Sequence, residues 1–312
     1  MILGIHHVTL VVRDLATAEA YYCAAAGMQR VTVPEAGALV ALDHELGGLG
    51  FDHCLLAGHN GYLLLIAPYW PDGVPAPVAN PINRAGIRHF CAQNHDVAPL
   101  AAAVATQGGN LIAPPLDLGT GNQYAYARDP EGNIMEIEGL PYAPLGEPTW
   151  LAHVALVMRD MDRAIAFYAA LFGTALKNRG RFGPGPQLDR MGGLVDAQLE
   201  GAWLPAGNLQ LELWQFHTPT SPAEPARRFF DPGYSRLCLE SVDLDADAAR
   251  LVELGGTLLT ECVENASLRA ILGSDPEGNL IEIIELRAAG AALAIATLAD
   301  PNICARVEAS HR

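Results

Sequence analysis

The stretch Asp129-Pro130-Glu131-Gly132-Asn133-Ile134-Met135-Glu136 returns as Asp275-Pro276-Glu277-Gly278-Asn279-Leu280-Ile281-Glu282, 146 positions further on. Proline presets φ for the second place of a tight turn and glycine supplies a positive φ, so Asp-Pro-Glu-Gly-Asn reads as a hairpin turn. The strand that follows puts Glu136 and Glu138 on one face and their apolar neighbours on the other. The same offset relates His7-Val8 to His153-Val154 and Arg13-Asp14 to Arg159-Asp160. The chain is therefore an internal duplication, and each copy carries a histidine on an early strand and a glutamate on a late one.

Working outward, each half divides again. An apolar, β-branched strand over 5–12 is followed by Asp14 as helix cap, a helix over 15–26 and Gly27 as its stop. Strands are predicted at 31–42, 50–57 and 61–67, with His59-Asn60-Gly61 as a hairpin turn. After a Pro-rich connector at 68–81, a second unit opens with a strand near 86–92, a helix capped by Asp96, and strands at 110–113, 123–128 and 133–138. The second half replays this order. The expectation is an α+β fold of four βαβββ modules in two tandem halves, with curved, incompletely closed mixed sheets flanked by helices. The halves are 1–140 and 150–287, each pairing its own two modules, with a linker at 141–149. The segment 178–193 reads as a loop without a first-half counterpart. The Ala-rich tail 288–312 reads as a helix up to Ala299 that serves docking or dimerisation.

Composition narrows the function. The 312 residues are 50% hydrophobic, enough for two cores, and the net charge of -16 argues against nucleic acid or an anionic membrane as partner. The six cysteines form no Cys-x-x-Cys pair and read as reduced thiols of a cytoplasmic protein; no signal peptide or spanning segment is expected.

The residues that carry chemistry follow from the repeat. His7 aligns with His153, whereas His6 aligns with Ala152, and strand alternation puts His6 and His7 on opposite faces. His89 is the equivalent of His7 in the second module, after the shared Gly-x-x lead, and Glu136 closes that module. His7, His89 and Glu136 are thus the predicted metal ligands, two imidazoles and a carboxylate with positions left for substrate. A fourth ligand is not expected in the first half, because Leu64 aligns there with Glu212. In the second half His153, Glu212 and Glu282 are present, but Arg236 stands near the place of His89 and is expected to neutralise both glutamates. Tyr126, three residues before Asp129, and His53 are the candidates for moving protons.

These motifs resemble the vicinal oxygen chelate superfamily of glyoxalases, extradiol dioxygenases, epimerases and bleomycin-resistance proteins. The resemblance covers about 1–287. It rests on His-Val, the Asp-capped helix with Tyr21-Tyr22 and Phe167-Tyr168, and the Asp-Pro-Glu-Gly-Asn-x-x-Glu ending. It implies paired modules around a divalent metal, Fe(II) or Mn(II) ahead of Zn(II), and a small-molecule substrate. A homodimer is that family's default. The two-His, one-Glu set and Tyr126-x-x-Asp129-Pro130 resemble ring-cleaving dioxygenases acting on an aromatic diol, which is the favoured reading. Against it stands Asp117-Leu118-Gly119 where the signature has a histidine, and a triad in the first half rather than the second. The alternatives are a glyoxalase-like lyase, isomerase or epimerase, and a ligand-binding protein without catalysis.

Overall fold

A computed structural model describes residues 1–46, 48–76, 80–222 and 228–311. Residues 77–79 of the first Pro-rich connector and 223–227 of the second lie outside the described residues.

The first module runs β1 (Ile2–Val11), α1 (Leu15–Ala25), β2 (Gln29–Arg30), α2 (Ala41–Leu46), β3 (Phe51–Ala57) and β4 (Tyr62–Pro68). The second runs β5 (Gly86–Asn94), α3 (Ala98–Thr106), β6 (Asn110–Leu111), β7 (Gln123–Arg128) and β8 (Ile134–Gly139). The third runs β9 (Trp150–Val157), α4 (Met161–Phe172), β10 (Asn178–Phe182), α5 (Pro186–Gly192), β11 (Gln198–Ala206) and β12 (Leu209–Thr218). The fourth runs β13 (Gly233–Ser241), α6 (Leu244–Glu253), β14 (Thr257–Leu258), β15 (Val263–Glu264), β16 (Leu268–Ser274) and β17 (Leu280–Leu286). A terminal helix, α7 (Ile303–His311), follows two short 3-10 segments.

These strands make two open, mixed sheets, and the modules do not pair within their halves. One sheet joins the first and fourth modules through antiparallel β1 and β13, in the order β14-β16-β17-β13-β1-β4-β3-β2. The other joins the second and third through β5 and β9, in the order β10-β11-β12-β9-β5-β8-β7-β6. We call them the outer-module and inner-module sheets.

What does couple the modules of one half is the repeated turn. Glu131 Oε1 accepts from the backbone N–H of Arg13 and Asp14 at 2.8 and 2.9 Å, at the start of α1. Glu277 Oε1 does the same for Arg159 and Asp160 at 3.0 Å each, at the start of α4. The Tyr22 and Tyr168 hydroxyls donate to Asp129 and Asp275 at 2.9 Å. Each turn thus satisfies orphan donors of a helix N-terminus in the neighbouring module, where negative charge is favoured. The conserved spacing between the two copies reflects this docking. The helices then share one core with residues of both sheets, among them Tyr21, Phe167, Leu156, Leu237 and Ile283.

The two halves are also stapled by their hairpin turns. Asn60 Nδ2 donates to the Leu151 carbonyl at 2.7 Å, and Asn208 Nδ2 donates to the Ile5 carbonyl at 2.9 Å. Gly4 is required here, since a Cβ would stand 2.3 Å from the Asn208 Oδ1. Asn208→Ala strips buried carbonyls of their donor and is expected to cost about 1–3 kcal/mol, read as a shift of the urea midpoint at constant slope.

Three sequence expectations change. The strand expected over 31–42 is instead a 3-10 segment, Pro34–Val40, running into α2, because Pro34 presets a helical φ and cannot donate to a ladder. The 178–193 segment, expected to lack a counterpart, is β10 and α5, and the 146-residue offset places it over 32–47, which holds that helical insert. The tail is not one helix to Ala299. It forms 3-10 segments at Ala288–Leu293 and Ile295–Thr297, then α7 beyond Pro301, and docks on its own chain through Ile303 and Val307 against Leu140, Ala143 and Trp150.

Candidate metal centre

Because the inner-module sheet puts β5, β8, β9 and β12 side by side, it gathers His89, Glu136, His153 and Glu212. One donor atom from each lies within 4.8 Å of all the others, and all four residues are buried. His153 Nε2 is 2.9 Å from Glu136 Oε2 and 3.2 Å from Glu212 Oε2. His89 Nε2 stands 3.3 and 3.5 Å from the same two oxygens. Backbone irregularity aims these rings. Register shifts flank His89 between Ile87 and His89 and again between Phe90 and Ala92, opposite His153. Bulges of this kind re-aim a side chain next to a functional site.

The histidines and carboxylates of the cluster shift one another. Burial raises Glu136 and Glu212, but hydrogen bonds and charge from His153 and His89 outweigh it and hold both below the usual carboxylate range. Burial would depress His153, yet Glu212 and Glu136 push it well above the usual histidine range. His89 Nδ1 is fully enclosed with no hydrogen-bond partner, and Glu212 Oε2 meets His153 Nε2 and His89 Nε2 at 3.2 and 3.5 Å. Buried polar atoms without partners are costly. Two imidazoles and two carboxylates with unclaimed lone pairs in one enclosure are a donor set that a borderline divalent ion fits.

Around the cluster, Tyr126 stands on β7 directly opposite Glu136, its ring 5.2 Å from His89. Its hydroxyl is buried without a partner, and burial with Glu136 and Glu212 nearby raises its pKa well above normal. Trp214 packs against both rings, 5.4 Å from that of His89 and 5.9 Å from that of Tyr126. Met191 of α5, Phe216, Leu199 and Ile82 complete an apolar wall. Glu138, next along the face from Glu136, is pushed up to about 7 by burial and by Glu136.

The predicted ligand set is therefore divided. His89 and Glu136 come together, but His7 lies in the outer-module sheet, paired with Cys238 on β13. His153 and Glu212 complete the cluster in its stead. The reason is the module pairing: a triad confined to the first half assumed that its two modules share a sheet. The missed signal was present, since the His-start and Glu-end pattern of the second and third modules predicts four donors once those modules are adjacent. His53, on β3, is likewise in the outer-module sheet, half-buried near Phe51, and burial lowers its pKa. Tyr126 is the candidate acid/base residue that the structure brings to the cluster.

The outer-module sheet shows what the equivalent positions became. Ala155 faces His89 and Glu212 on its two sides, while Thr9 faces Arg236 and Leu64. Cys91 faces Glu136, and Cys238 faces Glu282. Arg236 thus takes the place of His89, as the sequence suggested, and Leu64 that of Glu212. Arg236 Nε donates to Glu282 Oε2 at 2.6 Å, and its other nitrogens donate to Asp43 of α2 at 3.1 and 2.6 Å. It does not touch Glu212, contrary to expectation, because Glu212 is in the other sheet. The expected opposition of His6 and His7 also fails. His6 is the extra residue of a bulge between Ile5 and His7, so their Nδ1 atoms meet at 2.8 Å.

Comparison with known proteins agrees with this architecture. The family model described as Glyoxalase/Bleomycin resistance protein/Dioxygenase superfamily matches residues 4–137 and again 150–283. A lactoylglutathione lyase of Arabidopsis thaliana is 35% identical over 92 residues, 29% of this chain and 31% of that protein. The chain thus matches about a third of the length of such relatives. An anthracycline biosynthesis protein of a Streptomyces species is 30% identical over 206 residues, 62% of this chain and 64% of that protein. Glyoxalase I from Zea mays superposes with a TM-score of 0.64 at 22% identity, covering 90% of this chain and 92% of that one, which shows a shared fold.

Proposed function

The chain belongs to the Glyoxalase/Bleomycin resistance protein/Dioxygenase superfamily, and from that premise we propose that it is a divalent-metal-dependent isomerase or lyase of the glyoxalase type. Its substrate would be a small compound with two adjacent oxygens. The observation that carries this reading is the four-donor set of His89, Glu136, His153 and Glu212.

A bound divalent ion supplies Lewis-acid polarisation of a carbonyl oxygen, which acidifies the neighbouring C–H. The protein has to move the proton. Glu212, whose Oε2 faces His153 Nε2 and His89 Nε2 at 3.2 and 3.5 Å, is the carboxylate that takes it from one carbon and returns it to the next. The exchange consumes no oxidant. Tyr126 is placed to donate to a developing oxyanion, with its own proton retained by a raised pKa. Trp214, Phe216 and Met191 exclude water from the reacting carbons.

The ring-cleaving reading rested on three donors in the first half. With His7 apart and two carboxylates facing the site, the donor set favours proton transfer over oxygen activation. The test is reconstitution with Mn(II), Fe(II), Ni(II) or Zn(II), followed by assay on hemithioacetals of methylglyoxal with small thiols and on catechols. Thioester formation with deuterium exchange from solvent supports the proposal. Oxygen uptake on catechols, or no chemistry with any metal, sinks it. On the productive substrate, Tyr126→Phe is expected to lower kcat about 10–100-fold, with KM and metal content little changed.

A further inference from the structure

The face that carries the donor cluster also carries an amide-held carboxylate, Glu138, where the other sheet has Ile284. Glu138 follows Glu136 by two residues on β8, so both side chains project to the same side. Two residues of strand span about 6–7 Å. A small molecule chelated beside Glu136 needs a group within about that distance of its oxygens to meet Glu138.

Glu138 is buried, and neutral amides hold it. Asn122 Nδ2 donates to its Oε1 at 3.0 Å, and Gln93 Nε2 donates to its Oε2. Gln93 is itself fixed by the Trp150 indole N–H at 2.9 Å, and Asn122 donates to the Tyr124 hydroxyl at 3.3 Å. The Cys91 thiol makes a longer contact at 3.9 Å. Among the described residues no arginine or lysine pairs with Glu138. A carboxylate offers about four acceptor positions, and these amides fill two.

The equivalent wall of the outer-module sheet keeps one buried carboxylate, Glu240, which faces Ile284 as Gln93 faces Glu138. Tyr124 faces Glu138 across β7 and β8, and the matching pair is Ala270 and Ile284. Leu268 stands there in place of Asn122, and Leu293 of the tail belongs to the same apolar cluster. What the inner-module sheet adds beside the donor cluster is a carboxylate on the last strand, Glu138, where the outer-module sheet has Ile284.

We propose that Glu138 is a specificity-determining residue of the metal site. It accepts a hydrogen bond from a hydroxyl or ammonium group of the substrate and keeps a carboxylate out of that position. This rests on the metal-centre reading and narrows its substrate class. The substrate is a vicinal-oxygen compound with a donor group within about 6–7 Å of the chelated oxygens. A like charge opposed to Glu138 would be desolvated beside it, which is the usual device for rejecting a wrong partner.

The test uses the full-length protein loaded with Co(II), whose visible absorption reports ligand binding. Four hydroxamates serve as chelating probes: glycine hydroxamate with an ammonium, glycolohydroxamate with a hydroxyl, succinic monohydroxamate with a carboxylate, and acetohydroxamate as the reference. We expect the ammonium or hydroxyl probe to bind at least about tenfold more tightly than the carboxylate probe. Which of those two is tighter distinguishes a cationic from a neutral substrate. Glu138→Gln is expected to collapse the ratio to within about threefold, with Co(II) affinity unchanged. A flat order in the parent protein, or an order that survives Glu138→Gln, overturns the inference. If the order holds but no hemithioacetal is turned over, the isomerase reading fails and this one stands. Failure to take up Co(II) overturns both.

Discussion

His153→Ala is expected to leave the protein without bound divalent metal, while His7→Ala retains it at the parental level. The two histidines occupy matching positions of the repeat, so sequence alone treats them alike. Their surroundings do not. His153 Nε2 faces two carboxylate oxygens within 3.2 Å, and His89 looks into the same space. His7 faces Glu282 at 3.8 Å, but that carboxylate is already engaged by Arg236. A fixed guanidinium beside the imidazole repels a second cation. Loss of a supporting group around a metal already costs 10–100-fold in affinity, and loss of a ligand should exceed about 100-fold. Glu212→Gln should behave as His153→Ala does. Elemental analysis of the three variants, purified anaerobically and reconstituted identically, decides it. Metal lost from His7→Ala and kept by His153→Ala would refute the assignment of the centre.

The largest effect on stability is expected at Arg236. It is fully buried, held by Glu282 and Asp43, with its guanidinium 4.9 Å from the Phe229 ring centre. Arg236→Met would leave two buried carboxylates without a counter-charge, a loss of about 3–5 kcal/mol. Removing the whole network, with Asp43→Asn and Glu282→Gln added, should recover much of that, since a buried ion pair adds little over neutral groups of similar shape. The sign with pH follows from Glu282. Burial raises its pKa and Asp43 raises it further, while Arg236 pulls it down. Without Arg236 the folded state holds its proton more tightly than the unfolded chain does. Stability of the variant should therefore rise as pH falls from about 8 towards about 5. Urea denaturation at the two pH values measures this, and a variant equally stable at both would refute the account.

Much of this architecture is legible in the chain. Asp14 and Asp160 cap their helices as read, because a carboxylate next to an apolar helical run has one common use. The Asp-Pro-Glu-Gly-Asn turns are local, and Gly132 and Gly278 adopt the positive φ they imply. Even Leu64 and Arg236 could be placed opposite the positions of Glu212 and His89. The partner of each sheet's central strand was not legible. β1 pairs antiparallel with β13 and β5 with β9, yet all four strands are similar apolar runs. Nothing within such a run states which of three alternatives will lie beside it. The choice is made by tertiary packing beyond the strand itself. The bulge at His6 was equally silent, since an extra residue in a ladder is defined only by the strand it faces.

The placement of the modules has a consequence for how the protein is made. The inner-module sheet draws only on residues 86–218, a continuous stretch in the middle of the chain. The outer-module sheet needs β1 and β13, whose first residues are separated by more than two hundred positions of intervening sequence. During synthesis from the N-terminus, the first module emerges early and must wait for its mate with one edge of its central strand open. An open strand edge is a site of mispairing and aggregation. The donor cluster can assemble as soon as β12 is made, long before that wait ends. Translation thus completes the sheet that carries the donor cluster while the other sheet is still unpaired, and the edge of the first module stays exposed the longest.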